Sequence, residues 1–151
     1  MKIGFTGTRN GMTLLQRLRI FNFLKIRGGE LHHGCCEGSD TETHGVARGL
    51  RYWVVGHPPT DQTLRRFCEC DFLHPEKPYL VRNRYIVDST DELLATPAES
   101  VEQRRGGTWS TIRYARKVGK PITIILPDGT LKQEVPRRAS AIIATDETGA
   151  A

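Results

Sequence analysis

The apolar and polar positions of this chain alternate between short apolar runs and longer amphipathic stretches. Lys2 to Thr6 is an apolar run ending in Gly7-Thr8-Arg9-Asn10-Gly11, which predicts an opening strand followed by a glycine-containing loop. From Thr13 to Arg27, Leu14, Leu15, Leu18, Phe21, Leu24 and Ile26 recur close to helical spacing, and Gly28-Gly29 stops the run. Glu30 to His33 reads as a second, brief strand. After it, HGCCEGSD opens a loop, and a helix is predicted from about Ser39 to Gly49, with Ser39 as N-cap and Glu42 completing a capping box. Tyr52 to Val55 is the third strand. Thr60 to Pro78 reads as a polar, irregular excursion anchored by Leu64, Phe67 and Phe72, and the next helix spans Tyr79 to about Ser89.

The stretch from Glu92 to Pro127 carries the plainest pattern. ELLATP and ITIILP have the length and punctuation of buried strands, and RRGGTWSTIRYARKVGKP lies between them. Gly106-Gly107 supplies a turn in which backbone can approach a ligand, and Thr108 is placed to cap the helix that follows. Asp128 to Ala151 offers an edge strand at Ala139 to Ala144 and a polar tail. Residues 1–144 thus read as a single domain, with 145–151 as a flexible tail.

Strands alternating with helices predict an α/β fold: a doubly wound, three-layer, mainly parallel sheet. Right-handed crossovers give an expected strand order of 3-2-1-4-5, with a crevice between the first and fourth strands. Three glycine loops then share one rim: Gly7 to Arg9, Gly34 to Asp40, and Gly106 to Thr108. Free N–H groups at a helix start, together with the positive end of its dipole, suit a phosphate or carboxylate. Arg104 and Arg105 stand just before that turn, and a guanidinium fork matches phosphate oxygens in pairs. The candidate ligand-binding residues are Gly7, Thr8, Arg9, Gly34, Ser39, Asp40, Arg84, Gly106, Gly107 and Thr108. Each has a plainer reading that stays open. Gly-Gly before a helix serves as a tight connection, Asp40 and Glu37 complement a helix dipole, and Arg84 takes a surface salt bridge.

Composition narrows the setting. A chain of 151 residues, 38% hydrophobic and 26% charged, fits a globular protein with a real core. No apolar run approaches the ~20 residues of a membrane helix, and MKIGFTGTRN lacks a signal-peptide profile, so the expectation is a cytoplasmic protein with no membrane partner. The net charge of +5 favours anionic partners or simply aids solubility. Sixteen of the 22 basic residues are arginine, which agrees with phosphate recognition and equally with genomic base composition. The cysteines fall as Cys35-Cys36 and Cys68-x-Cys70, without the C-x2-C spacing of a zinc site. Cys68, Cys70 and His74 offer ligands but no fourth is evident, so no metal and no cofactor are expected, and the thiols read as reduced and partly buried. His44 is expected to pack, and His57 and His74 to be exposed or structural.

The ordered set GFTGTR, HHGCCEGSD, VRNRYIVDSTDELLAT and RGGTWSTIRYARKVGKP resembles the SLOG superfamily of Rossmann-like proteins, over about residues 2 to 127. That superfamily includes the DNA-processing DprA proteins and the LOG cytokinin-activating phosphoribohydrolases. GTWSTIRYARKVGKP is similar to the DprA pattern G-[ST]-L-x-T-A-x-x-A-x-x-x-G-[RK]-P, and RNRYIV to its R-N-R-x-I segment. HGCCEGSD resembles the G-x-x-x-G-A-D loop of small stand-alone members. The resemblance implies a pocket for a nucleotide or nucleotide-derived ligand, often in a homodimer. One departure stands out. LOG enzymes carry P-G-G-x-G-T-x-x-E, whose glutamate helps break the N-glycosidic bond, whereas here Thr108 is followed by Trp109, Ser110, Thr111, Ile112 and Arg113.

Three functions are consistent with these residues. The leading one is a module that binds a nucleotide-like small molecule as sensor, carrier or sequestering protein, with phosphate on Thr8, Arg9 and the Gly106 to Thr108 turn, Arg84 assisting, and Asp40 on the ribose. The second is an enzyme acting at the N-glycosidic bond of a nucleoside monophosphate, for which Glu37 or Asp40, or else Glu102, would supply the catalytic carboxylate. The third is DprA-like binding of single-stranded nucleic acid, with Trp109 or Tyr114 as stacking surfaces.

Overall fold

The computed structural model describes residues 1–66 and 68–136. In chain order the elements are β1 (Lys2–Gly7), α1 (Leu14–Lys25), β2 (Glu30–His33), α2 (Ser39–Gly49), β3 (Trp53–Gly56), β4 (Phe72–Leu73), α3 (Tyr79–Asp88), β5 (Glu92–Thr96), α4 (Gly107–Lys117), β6 (Ile122–Ile125) and β7 (Leu131–Glu134). The strands form one sheet in the order β4-β3-β2-β1-β5-β6-β7, parallel except for β7. Its inner five strands follow the expected 3-2-1-4-5 order, since the fourth and fifth apolar runs are β5 and β6.

These inner strands are buried on both faces because helices cover both. On one side Ile3, Phe5, Leu31, Val54 and Leu94 pack with Ile20, Phe23 and Leu24 of α1 and Ala47 of α2. On the other, Leu93, Ala95, Ile122 and Ile124 pack with Val87 of α3 and Trp109, Ile112 and Ala115 of α4. Gly7 is paired in register with Thr96, so β1 and β5 end together and their loops leave the sheet at one edge, where the winding direction reverses.

The structure corrects several local expectations. Of the six apolar positions read along α1 only Leu24 is buried, while Leu14 is 71% exposed and Leu15, Leu18, Phe21 and Ile26 also face outward. The buried face carries Gln16, Ile20, Phe23 and Leu24. Gln16 is tolerated there because its Nε2 donates to the Pro97 and Ile125 carbonyls at 2.8 and 2.9 Å, and its Oε1 accepts from Thr13 N–H at 3.0 Å.

Ser39 does not cap α2. Gly38, at φ +80°, takes the cap position, and Ser39 instead donates its hydroxyl to the Thr8 carbonyl at 2.6 Å. Glu42 closes no capping box; it accepts from Met12 N–H at 2.7 Å and pairs with Arg17. Likewise Gly106, at φ +101°, caps α4, leaving Thr108 inside the first turn. Phe72 is no apolar anchor: at 52% exposed it belongs to edge strand β4, held through its backbone to Val55. The antiparallel edge strand is β7, whereas Ala139 to Ala144, the 145–151 tail and Phe67 lie outside the described residues. Among the described residues, no helix is long and apolar enough to cross a membrane.

Candidate functional site

A cavity of about 450 Å³ opens above the ends of β1 and β5. From the β1 side it is lined by Gly7, Thr8, Arg9 and Asn10, from the β2–α2 loop by Glu37, from α3 by Tyr79, and from the β5–α4 connection by Ala98, Glu99, Arg105, Gly106, Gly107, Thr108 and Trp109. Nine of the residues singled out in the sequence therefore meet there: Gly7, Thr8, Arg9, Glu37, Arg105, Gly106, Gly107, Thr108 and Trp109. The sequence reading did not single out Asn10, Tyr79, Ala98 or Glu99.

The glycines at this rim are required by packing. A Cβ on Gly107 would fall on the Tyr79 hydroxyl, and one on Gly38 would fall on the Arg9 carbonyl. Tyr79 in turn lies beneath the Arg9 guanidinium, 5.9 Å from its ring centroid, which orients that charge along the rim.

Backbone donors at the cavity are unequally available. Thr8 N–H is spent on the Thr96 carbonyl at 3.1 Å, Asn10 N–H on Thr8 Oγ1 at 3.2 Å and Gly11 N–H on the Thr8 carbonyl at 3.3 Å. The start of α2 is closed by the chain itself, because Ser39 N–H donates to the Thr8 carbonyl at 3.1 Å. At α4 the amides of Gly107, Thr108 and Trp109 occupy the first turn, which has no preceding carbonyl to take them, and among the described residues no side chain caps them. With Arg9 and Arg105 beside them, these amides gather positive potential at that end of the cavity.

Asp40 is placed differently. It is 7% exposed and lines a smaller space beneath the cavity with Gly34, Arg82, Asn83, Tyr79 and Thr108. Its Oδ2 accepts from the N–H groups of Gly34 and Cys36, each at 3.1 Å, tying the β2–α2 loop to its own helix. Burial pushes its carboxyl upward, opposed by His33, Arg82 and those two amides. Arg82, the first residue of the RNRYIV segment, is buried under the site. It donates to the Gly34 carbonyl, to the His57 carbonyl at 3.0 Å and to Asn83 Oδ1 at 2.8 Å. Arg84 lines a separate groove between α3 and α4, its guanidinium 5.2 Å from the Tyr114 ring.

The remaining acids and aromatics also have defined places. Glu102 pairs with Arg113 at 3.3 Å and Arg116 at 2.7 Å, and the Arg116 contact holds its carboxyl below the usual range. Glu99 accepts from Trp109 Nε1 at 2.8 Å. Trp109 is only 4% exposed, and the Tyr114 hydroxyl is bound to Asp88 at 2.8 Å.

The histidines form two groups at the carboxyl ends of β2 and β3. His32 Nδ1 meets His57 Nε2 at 2.9 Å, and His57 stacks on His74 with centroids 4.3 Å apart. Burial, with His74 and His32 alongside, drives His57 down to about 2, so it is neutral in the fold. His74 is thus stacked in this first group, while the nitrogen and sulfur ligand types that do come together are His33, His44 and Cys70, within 4.8 Å of one another.

No protein-family model and no curated protein sequence matches this chain. Among solved structures, the molybdenum cofactor binding protein from the phototrophic bacterium Rippkaea orientalis superposes with a TM-score of 0.68 at 16% identity, over 99% of this chain and 97% of that one. The Moco carrier protein from Chlamydomonas reinhardtii gives 0.61 at 17% identity, over 98% and 85% of the two chains. DNA processing protein A from Helicobacter pylori, whose structure concerns its single-stranded DNA binding mode, gives 0.60 at 19% identity, over 100% and 74%. At these identities the likeness is one of fold, and it is the fold that the SLOG resemblance implies.

Proposed function

We propose that this protein binds a phosphate-bearing, nucleotide-like small molecule in the cavity between the β1–α1 loop and the start of α4. The observation that carries the reading is the set of uncapped amides at Gly107, Thr108 and Trp109, flanked by Arg9 and Arg105 on a cavity of about 450 Å³. That volume suits a mononucleotide-sized guest. The phosphate sits on the α4 turn, Tyr79 and Asn10 border the remainder, and Glu37 and Glu99 are the acids within reach of sugar hydroxyls or a base amine. Asp40 acts by holding the loop that presents Glu37. The solved structures of small-ligand carriers with this fold support a binding or carrier role.

A second reading, cleavage at an N-glycosidic bond, is favoured by one observation: Glu37 and Glu99 both line the cavity, whereas Glu102 is engaged with arginines. Binding of single-stranded nucleic acid ranks below both, because Trp109 is buried and presents no stacking face. A homodimer belongs to the proposal as well, with the outward Leu14, Leu15, Leu18 and Phe21 face of α1 as the surface a second copy would cover. Light scattering on the purified chain tests that part.

The functional test is native mass spectrometry of the purified protein followed by extraction of whatever accompanies it. A phosphate-bearing small molecule in stoichiometric amount supports binding. Its breakdown by the wild type but not by Glu37→Gln or Glu99→Gln supports the enzyme. An empty protein that retains single-stranded DNA tightly, with affinity falling steeply in salt, overturns both.

A further inference from the structure

Away from the cavity, three side chains of metal-ligand type converge from three separate elements. His33 ends β2 and is fully buried, His44 lies midway along α2, and Cys70 stands just ahead of β4. His33 Nε2 meets His44 Nδ1 at 2.9 Å with the ring planes 83° apart. The ligand atoms of all three residues fall within 4.8 Å of one another.

Each of the three is held by its own backbone. His33 is paired in register with Gly56 across the sheet, and His44 is fixed by its helix. Cys70 is gripped on both sides: Arg48 donates to the Glu69 carbonyl, and Asp71 exchanges two bonds with Val54, N–H to carbonyl and Oδ2 from N–H, each at 2.8 Å. Gly56 clears the space beside the thiol, since a Cβ there would stand 2.9 Å from Cys70 Sγ. Arg48, one turn beyond His44, is paired with Asp71 at 2.7 Å, so its charge is already matched.

We propose that His33, His44 and Cys70 hold a zinc ion. Two imidazole nitrogens and one thiolate are the ligand set this borderline-soft cation takes. With bonds of about 2.0 Å to nitrogen and 2.3 Å to sulfur, a tetrahedral ion sets its ligand atoms roughly 3.3–3.6 Å apart. The nitrogens already stand closer than that, and the sulfur lies within 4.8 Å of both, so closure takes a shift on the order of 1 Å at the Cys70 side chain. His44 and Cys70 are partly exposed, which leaves the fourth position open to water from the solvent side.

Loading changes one hydrogen bond nearby. Cys35 N–H donates to His33 Nδ1 at 3.0 Å, which leaves the ring proton on Nε2, shared with His44 Nδ1. The ion takes the place of that shared proton. The proton moves to Nδ1, the Cys70 thiol releases its own, and the Cys35 amide gives up its acceptor. Cys35 sits at φ +54°, where a residue with a side chain is rarely found, so its peptide has a more ordinary conformation to turn to. The ion would thus tie the end of β2, α2 and the segment entering the short edge strand β4 at one point.

The test is titration of the full, untagged, reduced protein with cobalt(II), followed by displacement with zinc(II). The expected result is one equivalent of cobalt with thiolate-to-metal charge-transfer absorption, displaced by one equivalent of zinc, and a melting temperature that rises with zinc. Cys70→Ser should abolish the charge-transfer band, and His44→Ala should weaken zinc binding at least roughly tenfold. Cys68→Ser and His74→Asn should bind as wild type. In amide NMR of the wild type, zinc should shift Cys35 together with the residues around His44 and Cys70. Cobalt bound without sulfur absorption, zinc affinity unchanged in Cys70→Ser or His44→Ala, a site lost in Cys68→Ser or His74→Asn, or no binding at micromolar zinc overturns the proposal. So do zinc-induced shifts centred on Glu37 and Glu99, since the ion would then sit in the main cavity. The wild-type spectrum and shifts decide the matter even if a variant fails to fold.

Discussion

Replacing Asp40 by alanine should cost stability in an amount that can be worked out from its contacts. The Asp40 carboxylate is the acceptor for the buried N–H groups of Gly34 and Cys36, both at 3.1 Å. Truncation leaves two buried donors without partners, at about 1–3 kcal/mol each, or about 2–6 kcal/mol together. For a chain of this size each kcal/mol lowers the melting temperature by about 2–4 °C, so a fall of at least roughly 4 °C is expected. Asp40→Asn should recover most of it, because an amide oxygen can accept both bonds and the substitution removes a charge whose burial is unfavourable. Thermal and urea unfolding of the three proteins measure this, and phosphate affinity of the Asn variant should match wild type, since Asp40 does not line the main cavity. An alanine variant melting within about 1 °C of wild type would refute the reasoning. So would an Asn variant of unchanged stability that no longer binds phosphate, because Asp40 would then be touching the ligand.

Other outcomes follow from the same contacts. His57 is held at about 2 in the fold against 6.5 when free, so the unfolded chain takes up a proton below 6.5 that the folded chain refuses. Its stabilisation is present above that pH and is lost as pH falls from 6.5 toward 2, at about 1.4 kcal/mol per pH unit, and His57→Asn should remove about one proton from the slope measured by urea unfolding between pH 6 and 5. Gln16→Ala leaves the Pro97 and Ile125 carbonyls without their donor and should cost about 2–4 kcal/mol in the same assay, although the position reads as an ordinary polar residue. Arg9→Ala and Arg105→Ala should each weaken nucleoside monophosphate binding roughly 10–100-fold by calorimetry, while Arg84→Ala, in its separate groove, leaves it unchanged.

How much of this was legible in the sequence varied with the range of the interaction. The inner five strands and their order could be read because ELLAT and ITII are short, mostly apolar runs bounded by turn residues, as a sheet covered on both faces produces. Gly106-Gly107 announced the turn at the start of α4 through its backbone chemistry. By contrast, β4 and β7 are short, mostly exposed edge strands held by backbone pairing, and they leave no alternating pattern to read. The face of α1 was misread because its spacing permits two apolar faces. Long-range carbonyls at Pro97 and Ile125 select the one containing Gln16. Both cap assignments failed for one reason: a glycine at positive φ, one position ahead of Ser39 and two ahead of Thr108, took the cap itself. The separation of Arg82 from Arg84 and the meeting of His33, His44 and Cys70 depend on tertiary approach, to which local pattern is blind.

The most direct measurement of the central claim is an amide NMR titration of the isotopically labelled protein with a nucleoside monophosphate. Saturable shifts led by the Gly107, Thr108 and Trp109 amides, lost in Arg105→Ala, are expected. Shifts confined to the Arg84 and Tyr114 groove, or none at millimolar ligand, would contradict it.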